Sequence, residues 1–295
     1  MSQANSATQF FLPVGTTPLS TGTPKILMCP PTYYDVSYAI NPWMEEAAPC
    51  DVELAKRQWE ALYNAITQQA GAEVLLLDAV EGLPDLVFTA NAAYIYNNRA
   101  IIAHYKYPER RGEEPVCEAW FKKHGFETIT LPEHVFFEGM GDALTWGDTS
   151  QNMAARVFAG YKTRTDIASH NLISTHCGLP VLSLELINPR YYHIDVCICP
   201  LADGHFIYSP QAFDAYGNAV IEANIPPQKR IAVTPEEAAR FACNSVNIND
   251  TVLFNAGSST LADELKTRGF NVIQVELGEF LKSGGSSKCL TLRVA

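Results

Sequence analysis

The residues able to do chemistry lie in four short polar segments that interrupt otherwise apolar stretches. One sits close to the end of the chain, Gly284-Gly285-Ser286-Ser287-Lys288-Cys289-Leu290-Thr291. Its glycine pair lets the backbone bend tightly and approach a ligand closely. It delivers one thiol, beside a lysine, at the lip of a strand expected over Cys289 to Val294. A thiolate there is a nucleophile if nearby positive charge lowers its pKa. A proton-transfer partner stands upstream in Tyr191-Tyr192-His193-Ile194-Asp195-Val196. The remaining two segments are Phe137-Glu138-Gly139-Met140-Gly141-Asp142-Ala143-Leu144 and Pro84-Asp85-Leu86-Val87-Phe88-Thr89-Ala90-Asn91.

Together they hold a nucleophile, an imidazole, several carboxylates and a carboxamide. Carboxylates that face one another cannot all ionise without a cation, because like charges raise each other's pKa. A metal held by His193, Asp195, Asp142 and Glu138 is one answer, but thiol-plus-carboxylate sites without a second histidine are unusual. A cationic substrate is simpler, and a planar guanidinium, which carboxylates grip in bidentate fashion, fits best. No metal and no cofactor are expected.

Short strands and helices alternate around these segments. Lys25 to Cys29 reads as a strand, and Asp51 caps a helix to Ala70 with Leu54, Trp59, Leu62 and Ile66 at helical spacing. Strands are expected over 73–77, 86–96, 100–104 and 127–131, with a helix from Pro115 to His124. The 86–96 and 100–104 strands are joined by a hairpin turn at Asn97-Asn98-Arg99. The same grammar returns over 143–146, 156–161, a helix over 165–177 and a strand over 181–186. It returns again in a hairpin across Ala202-Asp203-Gly204, a helix from Pro235 to Cys243, and a final strand, helix and strand from Val252. A strand-strand-helix-strand unit therefore repeats several times within one domain over 24–295, behind a flexible polar arm over 1–23. A doubly wound parallel sheet is disfavoured by the frequency of hairpins and by the lack of a glycine-rich phosphate loop after the first strand.

Composition narrows the class. The chain has 295 residues, a net charge of -11 and no basic cluster, which argues against nucleic acid and anionic membranes as partners. No apolar run is long enough for a membrane span, and the start lacks a secretion signal. The eight cysteines are scattered rather than arranged as a disulfide framework, which suits a reducing cytoplasm. Cys197-x-Cys199 is the one close pair, and no second pair completes a zinc spacing. His104, His124, His134, His170, His176 and His205 have no partner motif and read as surface or hairpin residues. A homo-oligomer is left open.

The four segments, in their order, resemble those of the guanidine-modifying cysteine enzymes: arginine deiminase, dimethylarginine dimethylaminohydrolase, the amidinotransferases and arginine dihydrolase. The resemblance covers nearly the whole chain from Lys25. It implies a five-bladed, pseudo-symmetric α/β propeller, in agreement with the repeat. It further implies that Cys289 attacks the guanidinium carbon, that His193 moves protons, that Glu138 orients His193, and that Asp195 grips guanidinium nitrogens, with Asp142 able to serve either of the last two roles. Asp85 and Asn91 belong to the substrate-facing segment. Arg110 or Arg111, and Arg164, resemble the arginines that meet the substrate carboxylate, and Asn41 lies on a loop that covers the site in this family.

Two departures from the family pattern stand out. One extra residue separates Glu138 from Asp142, relative to the deiminases. Asn91 stands where the deiminases carry an aspartate. An amide supplies no charge but both donates and accepts, which suits a neutral ureido group. The arginine dihydrolases resemble the chain at that position. The implied activity is hydrolysis of L-arginine to ornithine, carbon dioxide and two ammonia through an amidino-thioether. A deiminase, a dimethylarginine hydrolase and a non-catalytic arginine sensor are the alternatives.

Overall fold

The computed structural model describes residues 22–147 and 153–295. Nearly all of the N-terminal arm expected over 1–23 therefore lies outside the described residues.

Among the described residues the strands form five three-stranded sheets of one pattern. In each, an antiparallel pair is followed by a helix and a third strand parallel to the second. β3 (Ala93–Tyr96), β4 (Arg99–Ile102) and β5 (Glu127–Ile129) form one such sheet, with the helix Glu113–Lys123 as crossover. β6 (Ala143–Trp146), β7 (Arg156–Tyr161) and β8 (Val181–Glu185) follow with the helix Ala168–Cys177. β9 (Ile198–Pro200), β10 (Phe206–Tyr208) and β11 (Arg230–Ala232) enclose the helix Ala215–Asn224. β12 (Val246–Ile248), β13 (Thr251–Asn255) and β14 (Asn271–Val275) enclose the helix Ser259–Thr267. The fifth sheet joins the two ends of the described chain. β1 (Lys25–Met28) pairs antiparallel with β15 (Leu292–Arg293) and, across the helix Val52–Asn64, parallel with β2 (Glu73–Leu76).

Local chemistry explains these elements. Asp51 accepts a hydrogen bond from the Leu54 amide at 2.9 Å and so caps its helix, whose Ala55, Trp59 and Leu62 are buried. Asn97 and Asn98 both have positive φ (48° and 60°), the geometry that matches the twist of a tight hairpin. The segments differ from the sequence expectation where polar tethers compete with the ladder. The strand expected over 86–96 begins only at Ala93. Before it, Pro84–Val87 and Thr89–Asn91 form two 3₁₀ turns. Thr89 Oγ1 donates to the Leu27 carbonyl and the Ala90 amide to the Cys289 carbonyl, which ties this stretch across to the Cys289 loop. Likewise Cys289 lies in a turn and not on a strand, because the Leu290 and Thr291 amides bond back to Ser286 and Lys288. The helix expected to Cys243 stops at Ala238, and Phe241 takes a positive φ of 63°. The helix Ala215–Asn224 was not expected. It is capped by Asp214 and buries Ile221 despite Gly217 near its start.

One regularity governs function. Each sheet's first strand is preceded by a polar turn. Asn91 precedes β3, Glu138 to Asp142 precede β6, His193 to Asp195 precede β9, Asn244 precedes β12 and Cys289 precedes β15. The pairing of β15 with β1 thus fixes the thiol-bearing turn. Leu292 is fully buried and faces Leu27 across that pair. Leu292→Ala should cost about 2–5 kcal/mol of stability, as buried leucines generally do, read as a lower urea midpoint.

Candidate active site

Cys289 is buried, and its thiol donates to Asp195 Oδ2 at 3.3 Å while Asn244 Nδ2 donates to the sulfur at 3.1 Å. The loop around it is cut to fit. Gly284 has φ +82°, and a Cβ there would stand 2.9 Å from the Tyr192 ring. Tyr192 itself donates its hydroxyl to the Gly284 carbonyl at 2.7 Å, fastening the thiol loop to the His193 segment. Asn41 caps the short helix Pro42–Glu45 with its Oδ1 and donates Nδ2 to Ser283 O, so the covering loop is pinned to the same place.

His193 donates from Nε2 to Glu138 Oε2 at 2.7 Å and lies 4.0 Å from Asp142 Oδ2. Its Nδ1 faces Asn91 Nδ2 at 3.5 Å. Arg110 Nη1 donates to Asn91 Oδ1 at 2.9 Å, which turns the amide nitrogen toward the imidazole and leaves the ring proton on Nε2. The turn Gly139–Asp142 packs directly on that amide: a Cβ at Gly141 would lie 2.1 Å from Asn91 Nδ2 and 3.3 Å from His193 Nδ1.

The arginines are spoken for by protein groups. Arg110 is gripped bidentately by Glu113, at 2.8 and 2.7 Å, and Nη2 reaches the Asp85 carbonyl. Arg164 donates to Glu138 Oε2 and to Ile40 O, both at 2.9 Å, and is sandwiched between the Tyr107 and Tyr192 rings. Arg111 turns away to the Tyr105 carbonyl. Asp142 accepts from Thr165 Oγ1 and from the Ile194 amide and so serves to hold the His193 segment.

Charge in this enclosure is finely balanced. Burial would raise the Glu138 pKa, but Arg164 and His193 overcome it and hold this carboxylate well below the usual range. Burial pushes Asp142 up to about 6 against the pull of His193 and Thr165. It pushes Asp195 up to about 7, opposed chiefly by Lys288. The Cys289 thiol is raised by burial and by the Asp195 carboxylate, so it is protonated in the ligand-free protein. Glu138 Oε1 and Asp195 Oδ1 are buried and accept no hydrogen bond. Each such acceptor costs about 1–3 kcal/mol unless a donor reaches it.

The structure thus brings Cys289, Asp195, His193, Glu138, Asp142, Asn91 and Arg164 together, with Asp85, Arg110 and Asn41 around them. Four of the groups that complete this arrangement were not singled out in the sequence: Asn244, Thr165, Glu113 and Tyr192. The repeat carried the signal for Asn244, because it occupies the turn before β12 that the other four polar segments occupy in their own sheets. His170 departs from its surface reading: it is buried, bonded to Ser183 and the Gly160 carbonyl, and its pKa is lowered to about 4 by burial. His205 is also buried, against Asp203. Cys197 and Cys199 are buried free thiols bonded to carbonyls of the Ile194 and Ser245 residues.

Fold and site together have the make-up of the guanidine-modifying, pentein class, and comparison with known proteins narrows it. A family profile described as N,N dimethylarginine dimethylhydrolase, eukaryotic, matches residues 39–295. The chain belongs to that family. It is 45% identical over 271 residues to the bifunctional arginine dihydrolase/ornithine cyclodeaminase ArgZ of Synechocystis, covering 92% of this chain and 37% of that protein. It is 39% identical over 272 residues to the N(G),N(G)-dimethylarginine dimethylaminohydrolase of Mycobacterium tuberculosis, covering 92% and 86%. The chain thus spans little more than a third of the length of the cyanobacterial relative. A crystal structure of the N-terminal domain of ArgZ bound to product, an arginine dihydrolase from the ornithine-ammonia cycle in cyanobacteria, superposes with a TM-score of 0.88. That match covers 93% of this chain and 98% of that domain at 45% identity.

The Asp195 shift has a consequence for folding. A carboxyl whose pKa rises on folding, here from 3.8 to about 7, binds its proton more tightly in the folded state. Its contribution is fully present below the lower value and is lost as pH climbs through the higher one, at up to about 1.4 kcal/mol per pH unit. Asp195→Asn should therefore keep stability that the wild type loses between pH 4 and pH 7, measured by urea denaturation at each pH. Equal slopes would contradict the shift.

Proposed function

We propose that the chain is an arginine dihydrolase, converting L-arginine and two waters into ornithine, carbon dioxide and two ammonia through a covalent adduct on Cys289. The observation that carries this reading is the enclosure itself. Two buried carboxylate oxygens, Glu138 Oε1 and Asp195 Oδ1, have no donors, Asp195 touches a protonated thiol, and a guanidinium supplies both the missing donors and the positive charge. That charge beside Asp195 removes the main electrostatic obstacle to ionising Cys289. The thiol proton is taken up at His193 Nδ1 and the thiolate adds to the guanidinium carbon. His193, oriented by Glu138, gives that proton to the departing first ammonia, and the imidazole so freed takes a proton from water, whose hydroxide adds to the adduct carbon as the Cys289 thiolate leaves.

Asn91 divides this activity from a deiminase. Its Oδ1 is committed to Arg110, while its Nδ2 has only long contacts at 3.4 and 3.5 Å. The donor end is available to a carbonyl oxygen, so the neutral ureido group formed after the first ammonia leaves is held for a second attack. Loss of the second ammonia and hydrolysis of the resulting thiocarbamate release a carbamate that collapses to ornithine and carbon dioxide. The identity to ArgZ supports this product. The identity to the mycobacterial dimethylaminohydrolase favours a second reading, hydrolysis of a dimethylated arginine with release of its dimethylamine.

The substrate's outer end is assigned to the loop that carries Asn41. A cavity of about 200 Å³ lined by Ile40, Asn41, Tyr107, Thr163 and Tyr192 lies against the rings that sandwich Arg164 and forms the route inward. Arg164, held by Glu138 behind those rings, is the guanidinium proposed to face a carboxylate there, while Arg110 is committed to Glu113 with Asp85 beside it. The five sheets are read as blades of a five-bladed α/β propeller with the five polar turns at its centre, a single catalytic domain over 24–295. Eight free thiols suit a cytoplasmic setting, and no helix among the described residues is long and apolar enough to cross a membrane.

Product analysis by mass spectrometry after incubation with L-arginine tests the proposal. Ornithine with two ammonia per arginine is expected, unchanged by a metal chelator and abolished in Cys289→Ser. Citrulline with one ammonia would make it a deiminase; turnover of dimethylarginine alone would establish the second reading, and turnover of neither would leave an arginine-binding protein. The rate should also follow Asp195: kcat/KM is expected to rise with pH through about 7, where this carboxyl ionises to receive the cation. A flat profile between pH 6 and pH 8 would remove Asp195 from that role.

A further inference from the structure

We propose that Asn244 is a catalytic residue: its side-chain amide is the donor that stabilises the Cys289 thiolate, and its remaining groups form the template that holds the thiol loop. It is fully buried in the turn before β12, the one sheet that otherwise contributes nothing to the site. Nδ2 donates to Cys289 Sγ and to the Asp195 carbonyl, both at 3.1 Å. Oδ1 accepts the amides of Ser286 and Cys289, each at 3.1 Å, and the Asn244 carbonyl accepts the Lys288 amide at 3.2 Å and the Ser287 hydroxyl at 2.6 Å.

The two ends of the carboxamide do different work. Oδ1 gathers two main-chain amides and so fixes which way the loop points the sulfur. Because that oxygen is committed to acceptance, the amide is locked with its donor end toward the sulfur. On the sulfur's other side stands Asp195 Oδ2, which accepts the thiol proton and opposes the thiolate. When the proton leaves, an N–H···S bond strengthens by becoming charge-assisted, whereas the contact to Asp195 turns repulsive. Asn244 therefore lowers the thiol pKa, and a guanidinium arriving at Asp195 completes what it begins. Burial and Asp195 still leave that pKa high in the free protein.

The assignment rests on Cys289 being the nucleophile, so its test reads the thiol without substrate. Alkylation of Cys289 by iodoacetamide, followed by peptide mass spectrometry from pH 6 to pH 10.5, gives the apparent pKa in the wild type, Asn244→Asp and Asn244→Ala. Asn244→Asp retains the acceptor for the two loop amides and loses the donor, while Asn244→Ala loses the donor without adding charge. An upward shift of at least one unit in both, a tenfold or greater loss of thiolate at fixed pH, is the expected result. A shift in Asn244→Asp alone is a charge effect and overturns the proposal, as does an unchanged pKa with lowered thermal stability. Should neither variant fold, the asparagine-labelled wild type decides by NMR. The Asn244 Nδ2 resonances should move with the Cys289 titration and stay still in Cys289→Ser, and resonances that ignore that titration overturn it. A normal pKa shift together with no arginine turnover would leave Asn244 in place and remove the proposed substrate instead.

Discussion

Glu138 Oε2 receives two donors at once, His193 Nε2 at 2.7 Å and Arg164 Nη1 at 2.9 Å, and the whole site hangs from that shared oxygen. The contact exists in a region where Asp85, Glu113, Glu138, Asp142 and Asp195 are all buried and only Arg110 and Arg164 are buried guanidiniums. The protein keeps Glu138 ionised with a resident cation and spends Arg110 on Glu113. Asp195 has no guanidinium partner, is pushed up to about 7 by burial despite Lys288, and is the one that touches the thiol. Burying unbalanced acid is destabilising unless a charge arrives to match it. The same imbalance that weakens the free protein is what the proposed cationic substrate would relieve beside the sulfur.

The repeat explains how such a cluster is assembled without a long-range scaffold of its own. Each sheet is a hairpin, a helix and a parallel return, and each is preceded by a turn too polar to continue a strand. Five such turns contribute a carboxamide, paired acids, a histidine with an acid, a second carboxamide and a thiol. Because β15 closes onto β1, the last turn is held by both ends of the described chain. A residue far from the chemistry in sequence, such as Leu27, thus helps to set where the thiol stands.

Much of this was legible in the residues. The strand-strand-helix-strand unit followed from alternating turn signals and apolar runs, and Asp51 and Asn97-Asn98 behaved as their side chains require. Cys289, His193, Glu138 and Asp195 stood out because ionisable groups interrupting apolar stretches demand a reason. What the residues hid was set by contacts distant along the chain. Thr89 and Ala90 look like strand but are pulled into turns by Leu27 and Cys289. Arg110 reads as an arginine that meets the substrate carboxylate until Glu113 and Asn91 enclose it. Asn244 has no motif of its own and is marked only by its place in the repeat, and its role emerges once the loop it templates folds over it.

The central claim is that carbon from the guanidinium becomes bonded to Cys289 during turnover. Rapid acid quench of the protein mixed with L-arginine, followed by peptide mapping, measures it directly. A transient mass increase on the Cys289 peptide alone, rising and decaying ahead of product, is the predicted result. Turnover with Cys289 unmodified throughout, or an adduct that forms on another thiol, would contradict the account.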